Sequence, residues 1–313
     1  MVPQFSGNLR LKFDSLRKSY GDTVALEGLS LEIRSGEIFG MIGPDGAGKT
    51  TAMRIACGLV LPDSGTVQIM GYDVVKQPMK VKEHIGYMPQ RFSLYPDLTV
   101  AENMHFFADL YGVSRAERLE REKRLMQFSR LEEFRSRRAG QLSGGMKQKL
   151  ALSCTLIHTP DVLILDEPTT GVDPLSRQEF WSILRELAGT GQALLVSTPY
   201  MDEALLCNRV ALMHRGRAMA TGTPLEVTAQ FSRRLLEITG PGLNSARKSL
   251  AENALKGVSV ARFGDRLHVV YDSADQERAI TSRIAGQNVQ HRTVQPTIED
   301  TFVSLMGDGE QES

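Results

Sequence analysis

The stretch "GPDGAGKTT", which runs from Gly43 to Thr51, fits the pattern G-x-x-x-x-G-K-[ST]. Its glycines allow a loop in which successive backbone N–H groups point inward at an anion. Lys49 adds a positive charge for outer phosphates, and the hydroxyl of Thr50 is a candidate ligand for Mg²⁺. The apolar run "IFGMIG" (38–43) precedes the loop, and a segment with helical periodicity follows it. This order of strand, glycine loop and helix predicts a site for the phosphates of a nucleotide.

The segment "VLILDEP" (162–168) is an apolar run that ends in two carboxylates. A buried strand would place Asp166 where it can hold Mg²⁺ through water, and Glu167 where it can polarise an attacking water. An ordinary Asp-Glu turn that caps the next helix is the alternative. The phosphate loop earlier in the same α/β region favours the catalytic interpretation. We therefore expect Glu167 to be catalytic and Asp166 to be a metal ligand.

The segment "QLSGGMKQKL" (141–150) has small residues where a helix is predicted to begin. Ser143, Gly144 and Gly145 would leave free N–H groups at that helix start, which can hold a second anion. A plain N-cap beside a flexible loop is the alternative. Taken alone, this segment favours the plain N-cap.

The composition limits the classes of function. The 313 residues include 37 basic and 37 acidic side chains, so the formal net charge is zero, which gives no reason to expect nucleic-acid binding. The three cysteines, Cys57, Cys154 and Cys207, lack metal-ligand spacing and are expected to be buried thiols. No apolar run approaches the ~20 residues that span a bilayer, and the first residues lack the apolar core of a signal peptide. We therefore expect a soluble, cytoplasmic protein whose membrane contact comes through a partner.

The pattern of the chain changes at about residue 226. Before that point strands alternate with helices, which predicts a mainly parallel α/β sheet. Residues 101–139 are helical and charged on one side, and we place them in a helical insertion of about 91–160. Residues 227–313 have the order β-α-β-β-α-β plus a last helix, which is typical of a small ferredoxin-like α+β domain. The tail 308–313 is expected to be disordered.

The three motifs, together with Gln90 and "GVDP" (171–174), occur in the order found in the ATP-binding-cassette (ABC) family. The chain closely resembles that family over residues 9–226, which implies a P-loop NTPase fold with a helical subdomain. The segments "GYMPQRFSLYPDLTVAEN" (86–103) and "PTIEDTFVSLMG" (296–307) are most similar to the ATPase subunits of bacterial ABC-2-type exporters, including multidrug exporters. The family also carries the small C-terminal domain in that group.

The resemblance implies ATP and Mg²⁺ as cofactors and a role for each matched residue. Tyr20 matches an aromatic that stacks on adenine, although a purely structural tyrosine is an open alternative. Gln90 matches a glutamine that touches Mg²⁺ and senses the membrane subunit, and its alternative is an ordinary polar loop residue. The implied metal ligands are Thr50, Gln90 and Asp166. The implied nucleotide-binding residues are Tyr20, Gly43, Pro44, Asp45, Gly46, Ala47, Gly48, Lys49, Thr50, Thr51 and Gln90.

The resemblance also implies partners. Ser143, Gly144 and Gly145 match the signature that contacts the γ-phosphate of ATP bound to the opposite protomer, and Asp173 matches a loop that crosses the dimer interface. Two nucleotides would then lie between two ATPase subunits, identical or different, which drive an integral-membrane transporter subunit. The implied location is peripheral, on the cytoplasmic face of the inner membrane.

Three positions depart from the commonest pattern of the family. Met146 replaces a glutamine in the signature, a change that related exporter subunits tolerate. Asp45 lies where Asn or Ser is usual; because backbone N–H groups build the cradle, this indicates a change at the dimer interface and no loss of the nucleotide site. Pro199, in "VSTPYMDEA" (196–204), replaces a histidine that contacts the γ-phosphate. Proline has no side-chain donor and cannot take that role.

Three hypotheses follow. The first is the ATP-hydrolysing subunit of an exporter, which the intact Glu167 favours. The second is a regulatory or assembly subunit that binds ATP and scarcely hydrolyses it, which Pro199 favours. The third, an ABC ATPase of DNA repair or translation, is weaker because the chain lacks both a long coiled coil and a second cassette.

Overall fold

The computed structural model describes residues 8–91, 94–252 and 255–309. The chain divides into two compact units, Met1–Pro224 and Leu225–Ser313. Within the described residues, no helix combines the length and apolar character needed to cross a membrane.

The first unit is an α/β structure in which strands and helices alternate. Its first half contains β1 (Leu9–Tyr20), β2 (Thr23–Arg34), β3 (Ile38–Ile42), α1 (Lys49–Ala56), β4 (Ser64–Ile69), β5 (Tyr72–Asp73), α2 (Pro78–His84) and β6 (Ile85–Met88). Its second half contains α3 (Val100–Leu110), α4 (Arg115–Ser129), α5 (Gly144–Leu156), β7 (Val162–Asp166), α6 (Pro174–Gly189), β8 (Ala193–Thr198), β9 (Arg209–His214) and β10 (Arg217–Gly222). Short 3₁₀ helices span Glu132–Phe134, Ala139–Gln141 and Met201–Leu206, and α7 (Pro224–Thr228) follows β10.

A six-stranded sheet in the order β10-β9-β3-β8-β7-β6 forms the centre of this unit. All of its pairs are parallel except β9 with β10. Every residue of β3, β7 and β8 is buried, as expected for parallel strands covered on both faces. Because carboxyl ends of parallel strands meet at one edge, the segments after β3, β7 and β8 lie together. A second sheet, β2-β1-β4-β5, is antiparallel.

Helices α3, α4 and α5 pack around a core of their own, formed by Val100, Met104, Ala108, Met126, Leu131, Ala139, Leu142, Leu150, Cys154 and Ile157. Capping boxes start α3 at Thr99 and α4 at Ser114. The prediction that residues 101–139 are helical is wrong for the segment just after Ser129, which is not α-helical. Arg130 adopts φ 57°, a left-handed conformation that ends α4, and only a 3₁₀ turn follows.

The second unit has the order of elements that the sequence predicts. These elements are β11 (Arg234–Thr239), α8 (Leu243–Glu252), β12 (Ser259–Phe263), β13 (Arg266–Tyr271), α9 (Ala274–Ile284), β14 (Gln290–Thr293) and α10 (Ile298–Gly309). The strands form an antiparallel sheet in the order β12-β13-β11-β14. Its assignment to the ferredoxin-like fold stays a prediction. In the predicted tail, α10 reaches Gly309, and residues 310–313 lie outside the described residues. The expected disorder of the tail stays a prediction.

Candidate nucleotide site

The glycine loop joins β3 to α1, and its geometry requires glycine. Gly48 caps α1 with φ 98°, in the left-handed region. A Cβ on Gly48 would lie 2.4 Å from the carbonyl oxygen of Ala25. On Gly43 it would lie 2.2 Å from the carbonyl oxygen of Met213. The loop can therefore bring backbone N–H groups to the start of α1 without side chains in the way.

Lys49 lies inside the loop and is only 3% exposed. Its Nζ donates hydrogen bonds to the carbonyl oxygens of Gly43 at 2.6 Å and Pro44 at 3.0 Å. The same Nζ lies 3.5 Å from Oε1 of Glu167, which is also buried. The loop thus holds a desolvated positive charge at the edge where β3 and β7 end.

Glu167 follows β7 and is fixed through both its backbone and its side chain. Its backbone adopts φ 49°, and its N–H donates to the Oγ of Ser197 at 2.9 Å. Its Oε2 accepts hydrogen bonds from Nε2 of Gln90 at 2.9 Å and from Oγ1 of Thr170 at 3.2 Å. The structure therefore brings Gln90 and Glu167 together, and the carboxylate has a defined orientation at the site.

Asp166, the last residue of β7, is 1% exposed and has two hydroxyl partners. Its Oδ1 accepts from Oγ1 of Thr50 at 3.1 Å and from Oγ of Ser197 at 2.6 Å. Burial, aided by the negative charge of Asp166, raises the pKa of Tyr87 to about 12. Asp166 is therefore a buried carboxylate held beside the hydroxyl of Thr50.

The set of ligand atoms fits Mg²⁺. Thr50 and Asp166 offer a hydroxyl and a carboxylate side by side, and Gln90 next to Glu167 offers an amide oxygen. These are hard oxygen ligands, and Mg²⁺ is commonly held by one or two carboxylates together with substrate phosphates. Within the ranges that the structure describes, no group of three or more His, Cys, Asp or Glu could hold a metal by itself.

The signature segment forms the start of α5 and packs closely on α6. Ser143 is the N-cap of α5, and its Oγ accepts from the N–H of Met146 at 3.3 Å. A Cβ on Gly145 would lie 2.5 Å from the side chain of Ser176 in α6. Asp173 caps α6 and accepts from the N–H of Ser176 at 2.9 Å, a bond that lowers the pKa of Asp173. Both helix starts are therefore capped by the polar residues that the sequence singled out.

Tyr20 and Asp45 both lie at the surface. Tyr20 ends β1 and is 49% exposed, with Nζ of Lys18 5.4 Å from the centre of its ring. Asp45 is exposed in the glycine loop. Both side chains are thus accessible to a ligand or a partner.

Pro199 follows β8 immediately beside the glycine loop. The carbonyl oxygen of Thr198 accepts from the N–H of Gly43 at 3.3 Å, so position 199 adjoins the first residue of the loop. The N–H of Tyr200 donates to Oγ1 of Thr198 at 3.1 Å. A 3₁₀ helix, Met201–Leu206, follows position 199 and leads to β9.

Sequence reasoning missed Ser197. Its hydroxyl donates to Oδ1 of Asp166 and accepts from the N–H of Glu167, so it holds both acidic residues. The sequence could have indicated this residue, because Ser197 lies near the carboxyl end of the apolar run "ALLVST" and a buried hydroxyl needs a hydrogen-bond partner.

The sequence profile of the family described as "ABC transporter" matches residues 26–170. The Escherichia coli (strain K12) protein "Probable multidrug ABC transporter ATP-binding protein YbhF" is 40% identical over 289 residues, which is 91% of this chain and 50% of that protein. The chain thus spans about half the length of that relative. "Nod factor export ATP-binding protein I" of Paraburkholderia xenovorans (strain LB400) is 36% identical over 299 residues, 95% of this chain and 97% of that protein.

A solved structure shares the fold of about two thirds of this chain. The "Dimeric Structure of MJ0796, a Bacterial ABC Transporter Cassette" is 27% identical, with a TM-score of 0.62, and covers 68% of this chain and 98% of that chain. The predicted family and the predicted ABC ATPase fold are confirmed by these likenesses. The chain belongs to the ABC transporter family.

Proposed function

We propose that this chain binds and hydrolyses MgATP and that hydrolysis drives export through a separate integral-membrane subunit. The main support for the proposal is the distance of 3.5 Å between Nζ of Lys49 and Oε1 of Glu167. This ion pair lies beside Asp166 and the glycine loop. The relatives named for multidrug transport and Nod factor export support export as the task.

Each residue of the site has a part in the proposed reaction. The loop N–H groups and Lys49 bind the phosphates, and Glu167 accepts the proton of the attacking water. Gln90 and Thr170 orient the carboxylate through the hydrogen bonds at its Oε2. Thr50, Gln90 and Asp166 would hold Mg²⁺, which neutralises phosphate charge when bound. Tyr20 would stack on adenine with its exposed ring.

We further propose a dimer that encloses two nucleotides. Ser143, Gly144 and Gly145 would contact the γ-phosphate bound to the other protomer, and Asp173 would lie at the dimer interface. The second subunit could be a copy of this chain or a different one. The protein would be peripheral, on the cytoplasmic face of the inner membrane, with no nucleic-acid partner.

The alternative of a subunit that binds ATP without hydrolysis gains no support from the relatives, which are named as ATP-binding transport or export proteins. The buried and oriented Glu167 also favours hydrolysis. Pro199 then indicates that ATP hydrolysis is slower than it would be with a histidine at this position, although the base Glu167 is present.

We propose that residues 9–226, with a helical insertion at about 91–160, form the nucleotide-binding domain and that 227–313 form a separate domain. The division of the chain into units at Pro224 and Leu225 supports this. A chain that ends at Glu226 should remain folded and bind ATP with full affinity, measured by calorimetry. A folded chain of that length without ATP binding would contradict the proposal.

Lys49→Ala should weaken ATP binding by roughly 1.5–3 kcal/mol, because it removes a charge-assisted contact to phosphate. Calorimetry on the full chain measures the change. Lys82→Ala, which removes an equal charge from an exposed position on α2, is the control. Equal ATP affinity in Lys49→Ala and the control would show that the loop does not bind the phosphates.

Asp45→Asn should tighten the ATP-bound dimer, because Asp45 adds an exposed negative charge to a loop that receives a triphosphate. The gain should shrink at high salt, since an exposed charge is screened. Sedimentation of the ATP-bound Glu167→Gln background measures dimer affinity. Glu120→Gln, on the exposed face of α4, changes net charge equally and should have no effect. Identical affinities at low salt would contradict the prediction.

A further inference from the structure

Four residues near the loop of Glu167 contact one another, and we call them the α6 clamp: Thr169, Arg177, Tyr200 and Glu203. The hydroxyl of Thr169 donates to Oε1 of Glu203 at 2.8 Å, and both residues are 1% exposed. Nε of Arg177 lies 3.6 Å from the same oxygen. The guanidinium carbon of Arg177 lies 4.1 Å from the centre of the Tyr200 ring, in cation–π contact.

The clamp joins three segments of the candidate site. Thr169 belongs to the loop of Glu167, where the N–H of Thr170 donates to the carbonyl oxygen of Glu167 at 3.2 Å. Arg177 lies in the first turns of α6, directly after the Asp173 cap, and its N–H donates to the carbonyl oxygen of Asp173 at 2.9 Å. Tyr200 and Glu203 belong to the segment that follows Pro199.

The buried charges of the clamp lower the stability of the fold, so a purely structural role does not explain them well. Oε2 of Glu203 and Nε of Arg177 are buried and have no hydrogen-bond partner among the described residues. A buried carboxylate with an unpaired oxygen destabilises a fold, and well-packed apolar side chains often do as well or better. A role in ATP hydrolysis would explain why Arg177 and Glu203 form a charged pair beside the loop that carries Glu167.

We propose that the α6 clamp positions Glu167 for catalysis, an inference that rests on the proposed ATP hydrolysis. The segment that follows Pro199 is held to the loop of the base through Glu203 and to α6 through Tyr200. The clamp then transmits the position of the start of α6 to the loop that carries the base. The four residues are positioning residues, since none of them touches the reacting atoms.

The test is single-turnover ATP hydrolysis by the full chain, with ATP affinity measured in parallel. Thr169→Val keeps the shape of the side chain and removes the hydroxyl, and Tyr200→Leu removes the ring under Arg177. Each should slow hydrolysis roughly 10- to 100-fold with unchanged ATP affinity, as expected when a catalytic group is misplaced. Thr169→Ser and Tyr200→Phe restore the hydroxyl and the ring, so each should rescue most of the rate. Arg185→Lys, at an exposed position of α6, is the control.

A shared role predicts that the Thr169→Val and Tyr200→Leu effects are non-additive in the double variant. The inference is overturned if Thr169→Val or Tyr200→Leu hydrolyses at the wild-type rate, or if ATP affinity falls as much as the rate. If Thr169→Val does not fold, the half-buried Tyr200→Leu decides the matter. Glu167→Gln separates the two proposals: if wild type releases no phosphate in a Glu167-dependent manner, the proposed function fails; if it does and the clamp variants are unaffected, only this inference fails.

Discussion

Glu167→Gln is expected to lower ATP hydrolysis roughly 10²- to 10⁴-fold, the usual contribution of a positioned general base. The substitution removes the carboxylate charge, and an amide oxygen can still accept the hydrogen bonds from Gln90 and Thr170. Asp166 and its bonds to Thr50 and Ser197 are untouched. The variant should therefore bind ATP normally and accumulate the ATP-bound dimer.

Phosphate release in a single turnover measures this effect, and sedimentation with ATP detects the dimer. Glu186→Gln, which changes an exposed carboxylate on α6, is the matched control and should hydrolyse at the wild-type rate. Equal phosphate release from Glu167→Gln and Glu186→Gln would remove Glu167 from the mechanism.

Pro199→His is expected to raise the rate of hydrolysis about 10²- to 10³-fold, the usual value of one preorganised donor. Position 199 follows Thr198, whose carbonyl oxygen accepts from the N–H of Gly43, so a histidine there lies next to the phosphate loop. Its imidazole could donate to the γ-phosphate as charge develops, which proline cannot do. Wild type should accordingly be slow by itself.

Pro199→Ala is the matched control, because it restores the backbone N–H without a side-chain donor. The histidine variant should exceed the alanine variant in single-turnover rate, while ATP affinity stays the same in both. If the folded histidine variant is no faster than the alanine variant, a missing side-chain donor does not limit this enzyme.

The features predicted correctly from sequence are those that depend on local pattern. The loop at Gly43–Thr51 and the strand that ends at Asp166 are each encoded by consecutive residues, because glycine spacing and apolar runs decide them. The early end of α4 was missed because nothing in the helical pattern indicates that Arg130 adopts a left-handed conformation.

Contacts between distant segments could not be predicted in the same way. Ser197 and Glu167 are hydrogen-bonded although 30 positions separate them in the sequence, and Thr169 and Glu203 are hydrogen-bonded across a separation of 34. These contacts form because the sheet order places β8 beside β7. The order of strands depends on the packing of the whole sheet, so the sequence of β7 or of β8 alone does not predict it. Candidate residues could thus be named from the sequence, and the hydrogen bonds that orient them could not.

The ion pair between Lys49 and Glu167 has a consequence for the order of events during turnover. Each member of the pair already has a counter-charge at 3.5 Å, in a place largely shielded from water. A phosphate that takes Lys49 as its partner competes with the carboxylate for the same ammonium group. Losing that competition leaves the Glu167 carboxylate without the ammonium group beside it. Arrival of the phosphates would therefore free the carboxylate from its ion pair at the moment when a base is needed for the attacking water.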